Sequence, residues 1–168
     1  MIELLIVVSI AAILASIAVP TLRDTLNDFR QKSALALLSS DLNQARGEAI
    51  KRNTRVLVCV RDSAGTGCGA STNWLTGWVA CIDANSDNAC DTGSATNPNP
   101  FIVRPALDAS LTLTAVDASA AALSTVRFNA NSSQGAGNSA ATLTLGGTWS
   151  GAVNHTITVA GTGHIAKQ

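Results

Sequence analysis

Four cysteines, Cys59, Cys68, Cys81 and Cys90, form two successive pairs, with RDSAGTG inside the first and IDANSDNA inside the second. Thiols in that number support either two disulfides or a metal centre. Zinc sites usually show CxxC spacing, which is absent, and His155 and His164 lie far away in sequence. An even count in a Gly, Ser and Asn-rich region behind an apolar segment points instead to an oxidising compartment and two bridges. Of the three connectivities, Cys59 with Cys68 and Cys81 with Cys90 is expected, because each bridge then staples a hairpin-like loop. The second loop raises a metal question of its own. Asp83, Asn85 and Asp87 offer oxygens at alternating positions and Asp91 adds another, as in the first half of an EF-hand loop. The sixth-position glycine and the later bidentate glutamate are missing, so an Asx-rich turn bonding its own backbone competes with calcium. No other cofactor is suggested.

Catalytic chemistry has little to stand on. No GxSxG, HExxH or phosphate-cradling glycine loop occurs, and His155 in NHTITV reads as a strand-face residue. The chain is therefore not expected to be an enzyme. Charge is balanced, with 11 Lys+Arg against 11 Asp+Glu in 168 residues, so no acidic partner is implied by the total. The cations are unevenly placed: eight of them lie between Arg23 and Arg61, and only Arg104, Arg127 and Lys167 follow. Lys51, Arg52 and Arg55 are a candidate phosphate-binding patch; the alternative is a solvated helix end where cations complement the dipole.

The elements that must position these residues begin with IELLIVVSIAAILASIAVP. Leu4 to Val19 carries no charge and is near the lower length limit for a spanning helix. A membrane anchor is favoured over a cleaved signal peptide, since a positive n-region is missing and the run continues through Pro20 into a helical pattern. Glu3 stands out, because a carboxylate beside hydrocarbon costs a few kcal/mol unless a partner compensates. Beyond Pro20, Leu35, Leu38, Leu42, Ala45 and Ala49 recur at steps of three and four, leaving Asp41, Gln44, Glu48 and Lys51 off the apolar stripe. One helix from Ile2 to about Arg52, allowing a kink at Pro20, would be about 75 Å long. Half of it must project from a domain of this size.

After Asn53 the period becomes that of strands. Runs at 54–61, 77–82, 101–104, 110–116, 125–129, 141–145 and 155–160 alternate with Gly, Asn, Asp and Pro turns, which predicts an antiparallel sheet or a pair of sheets. AVDASAAALST reads equally as a helical turn or a loop, and SSQGAGNSA as a connection. In WLTGW the glycine suggests a turn, with Trp78 in the sheet core and Trp74 capping the loop. The fold class is α+β, with a long N-terminal helix whose first half spans a membrane, packed by its second half on an antiparallel β-domain. The expected division is 1–27 for the projecting half and 28–168 for the head.

DLNQARGEAIKRNTRVLVC, WLTGWVACIDANSD and IVRP, following the apolar helix with Glu3 and Pro20, resemble the FimT and GspH family of type IV minor pilins and type II secretion pseudopilins. The likeness covers Met1 to about Arg104 and thins after Thr125. It implies a leader ending in Gly, cut by a membrane prepilin peptidase, and an N-methylated Phe two positions before Met1; both are expected to precede residue 1. It also implies that Glu3 pairs with the amine of a neighbouring subunit and that Pro20 belongs to the assembling helix. The partners implied are other pilin or pseudopilin subunits and the inner membrane before assembly, with the head periplasmic or extracellular. The function implied is a minor pilin that helps initiate or cap a type IV pilus. The alternatives are a type II secretion pseudopilin and a pilin that captures double-stranded DNA during natural transformation. DNA capture in some FimT-like pilins uses a basic GRxR element near the C-terminus. Here the element reads Gly163-His164-Ile165-Ala166-Lys167, so His164 and Ala166 replace both arginines and Lys167 keeps one charge.

Overall fold

The computed structural model describes residues 2–93, 98–131, 133–134 and 140–168; the side chains of residues 15–21 lie outside the description. Among the described residues one α-helix, α1 (Ile2–Arg52), leads into eight strands, with a short 3-10 turn at Trp74–Thr76 between the first two. These are β1 (Val56–Val60), β2 (Trp78–Ile82), β3 (Ile102–Val103), β4 (Leu111–Val116), β5 (Thr125–Phe128), β6 (Ala141–Gly147), β7 (His155–Val159) and β8 (Ile165–Lys167). They form two antiparallel sheets, ordered β3-β2-β1-β5 and β4-β6-β7-β8. A long N-terminal helix packed on an antiparallel sheet domain is therefore the architecture.

The expected helical stripe is the face that packs. Leu38, Leu42, Ala45 and Ala49 of that stripe are buried and meet the inner faces of both sheets in one core; Leu35 is only half-buried against it, and Ala34, outside the expected stripe, takes the buried place one residue earlier. Val56, Val58, Val60, Trp78, Ala80, Val126 and Phe128 come from the first sheet. Leu111, Leu113, Ala141, Leu143, Leu145, Ile157 and Val159 come from the second. Strand β4 shows why: LTLTAV alternates buried and exposed residues, as a sheet with one covered face requires. Burying each of the larger side chains, such as Leu38 and Leu42, contributes about 1.5–3 kcal/mol, and the alanines between them let the second half of the helix lie close against the sheets.

Two polar clamps fix where the helix sits. Gln31, 2% exposed, donates from Nε2 to the carbonyls of Leu145 (3.1 Å) and Val153 (2.7 Å), so it ties α1 to the second sheet. Asp41, 1% exposed, accepts two bonds from Arg104, at 2.8 Å each, and one from Trp78 Nε1 at 2.9 Å, tying α1 to the first sheet. Asp41 was placed off the apolar stripe by its period, and its burial is allowed only because every contact is charge-assisted or a hydrogen bond.

AVDASAAALST is a hairpin-like turn. Asp117 Oδ1 accepts from the N–H groups of Ser119 and Ala121, at 2.8 and 2.9 Å, and Val116 bridges Ala122. Of SSQGAGNSA, residues 132 and 135–139 lie outside the described residues. The strand β8 had no counterpart among the expected runs.

Candidate functional site

The projecting half of α1 presents the largest apolar surface. Every large apolar residue described between Ile2 and Leu14 is 54–76% exposed, and Leu22, Leu26 and Phe29 extend this surface toward the head. Glu3 lies in the first turn of the helix. Pro20 falls within α1, but its side chain, with those of the rest of 15–21, lies outside the described residues. Among the described residues no helix is long and apolar enough to cross a membrane; the expected span from Leu4 to Val19 runs into those same positions. The surface ends where the head begins. Asn27 reaches Ser110, Arg30 pairs with Asp108 at 3.0 Å, and Gln31 is the first fully buried side chain of the helix among the described residues.

The cysteines stand as two disulfides, Cys59–Cys68 and Cys81–Cys90. Each closes a loop over the outer side of the first sheet. The first is a hairpin: Arg61 bridges Cys68, Asp62 N–H reaches Gly67 O at 3.0 Å, and Asp62 Oδ1 accepts from Thr66 N–H at 2.9 Å.

In the second loop Asp83, Asn85, Asp87 and Asp91 turn their oxygens to local backbone. Asp83 accepts from the N–H groups of Asp87 and Asn88, Asp87 from Ala89, and Asp91 from Ala84. The Ala89 N–H, aided by the Asn85 amide, holds the Asp87 carboxyl below the usual carboxylate range. Asp83, wholly buried, also takes two bonds from Arg55, one of them 2.9 Å from Nε. The Arg55 guanidinium thus occupies with fixed positive charge the place beside Asp83 that a cation would take.

The same bond removes Arg55 from any phosphate patch. Lys51 and Arg52 both pair with Glu48, at 3.5 and 2.5 Å. Hydrogen bonding from Arg52 leads in holding the Glu48 carboxyl below its ordinary value. At the other candidate element, His164 and Lys167 are exposed, while Ala166 pairs with Thr158 within the β7–β8 ladder. Trp74 and Trp78 are both completely buried, so Trp74 is core as well as cap, its Nε1 bonding Leu123 O at 2.7 Å. Gly77 between them has φ of +96°, and a Cβ there would stand 2.3 Å from Arg104 O, so no other residue fits. Sequence reasoning missed Asp41, Arg104 and Gln31 as positioning residues, since their partners lie far along the chain.

A helix that half projects and half packs on antiparallel sheets defines the pilin class. Within that class the chain belongs to the family described as type II transport protein GspH, whose model matches residues 34–163. Two crystal forms of the type IV minor pilin FimU of Pseudomonas aeruginosa PAO1 share the fold. One has TM-score 0.54 and 17% identity, covering 84% of this chain and 90% of that one. The other has TM-score 0.53 and 17% identity, covering 82% and 91%. No curated protein matches the chain.

Proposed function

We propose that the chain is a minor pilin that inserts the first half of α1 into the helical bundle of a type IV pilus and helps initiate or cap its assembly. The observation that carries this reading is the continuous exposure of Ile2 to Leu14 on a helix whose second half is already fully engaged by its own head. An apolar face of that extent is stable only against lipid or other helices. Residues 1–27 act as the bundle-forming and, before assembly, membrane-anchored half, and 28–168 as the head. Glu3, on the first turn, pairs with a cation at the start of a neighbouring subunit's helix, which offsets its desolvation and biases register. The full-length precursor is a substrate for a prepilin peptidase.

The test is incorporation. Glu3→Ala should leave the head folded, by circular dichroism, and lower the amount of the protein in sheared filaments. Unchanged incorporation would remove Glu3 from this role. The family's description favours a second reading, a pseudopilus of type II secretion. Deleting the gene separates the two: loss of surface pili supports the first, and loss of exoprotein secretion with pili intact supports the second.

A further inference from the structure

The two disulfides do not stand apart. Cys68 Sγ lies 3.8 Å from Cys90 Sγ, and all four Sγ atoms fall within 4.8 Å of one another. The register of β1 against β2 brings this about. Cys59 faces Val79 and Leu57 faces Cys81, so the two strand cysteines are diagonal neighbours on one side of the sheet. That side is the outer one, because Val58, Val60, Trp78 and Ala80 fill the face toward α1. The loops at 61–67 and 83–89 then return Cys68 and Cys90 to the same spot.

A tetrahedral thiophilic cation with metal–sulfur bonds of about 2.3 Å spaces its sulfurs about 3.8 Å apart. The Cys68–Cys90 edge already has that length, and the other sulfurs are within reach of it. We propose that these four cysteines, once both disulfides are reduced, form a closed four-thiolate site for a soft divalent cation such as zinc. Each S–S bond takes two electrons and two protons from one dithiol reductant, which leaves as its own disulfide; the cation then displaces the four thiol protons. Cys59 and Cys81 are fully buried on strands and supply rigid ligands, while Cys68 and Cys90 are partly exposed and admit reductant and metal. An all-sulfur shell selects zinc over calcium or magnesium. The lack of CxxC spacing is no obstacle here, since strand register does the work that a knuckle does in zinc ribbons. One four-way metal link would then hold down both loops in place of two covalent staples.

The experiment uses the full chain in detergent micelles, reduced with a water-soluble phosphine and titrated with Co²⁺ alone. The expected result is one Co²⁺ per chain with the visible bands of a tetrahedral thiolate site, displaced by Zn²⁺, and no such bands from the oxidised protein. All four cysteines become protected from alkylation. Cys68→Ser and Cys90→Ser should each weaken Co²⁺ binding at least tenfold or so, the least that loss of even a supporting group usually costs. If reduction unfolds the sheets, Zn²⁺ should restore the far-ultraviolet circular dichroism at the same stoichiometry, which equally supports the site. Absence of tetrahedral bands in excess Co²⁺ overturns the proposal, as does binding that survives the double serine variant or two metals bound per chain.

Discussion

Asp41 lies buried beneath the helix, where Arg104 and the Trp78 indole donate hydrogen bonds to it. Hydrogen bonding to Asp41 raises the pKa of Arg104, so the guanidinium stays charged throughout the working range. Asp41→Ala is expected to lower stability by about 1–3 kcal/mol, because the Trp78 N–H is left unsatisfied while Arg104 can still reach water. A fall in the urea midpoint at constant slope would show it, and no change would mean that the bonds contribute nothing net. Glu48 tests charge in another way. Its pKa is depressed below the ordinary 4.5, with the Arg52 hydrogen bond the leading cause. Its contribution to stability is therefore present above 4.5 and lost as pH falls through the lower folded value. Glu48→Gln should lose roughly 0.5 kcal/mol at neutral pH, and the gap to wild type should close in acid; a gap that widens below pH 4.5 would contradict the sign. At this scale the sequence was informative only about neighbours. Lys51, Arg52 and Glu48 lie within one turn and their proximity was plain, whereas Arg55 with Asp83 and Asp41 with Arg104 meet only through the sheets.

The elements were easier to read than their partners. Leu38, Leu42, Ala45 and Ala49 announce the packed face of α1 by period alone, and seven strands follow from β-branched runs between turns. Strand β8 escaped because IAK is three residues long and its pairing with β7 is a tertiary fact. The disulfide-closed loops bear the prediction at this level. Each bridge spans nine positions and should contribute on the order of 2–3 kcal/mol by restricting the unfolded chain. Removing the Cys59–Cys68 bridge by a double change to serine should lower stability by that amount. Non-reducing peptide mapping supplies the independent check, since peptides joining Cys59 to Cys81 or Cys68 to Cys90 would contradict the pairing.

For the whole molecule the open choice lies between a scaffold and a receptor for DNA. At the helix end, Lys51 and Arg52 pair with Glu48 and Arg55 pairs with Asp83, so each cation of that candidate patch already has a carboxylate partner. Duplex binding should therefore be weak, with a shallow dependence on salt. Replacing His164 and Ala166 with Arg should strengthen it and steepen the slope, while Lys51→Gln with Arg52→Gln should change little. Tight wild-type binding abolished by the two Gln substitutions would make the helix end a DNA site. The two clamps on α1 have a mechanical meaning as well. Gln31 and Asp41 stand ten positions apart, roughly 15 Å along the axis, and they grip different sheets. Tension handed down the projecting half reaches the Gln31 clamp before the Asp41 clamp. The second sheet, which has no covalent cross-link among the described residues, should yield first. The first sheet, laced by both disulfides, should hold longest. In a single-molecule pull on α1 against the head, the first rupture should be indifferent to reductant and only the last should respond to it. The head would thus behave as a fuse in series with a tether, giving way at one sheet while the other keeps the subunit attached.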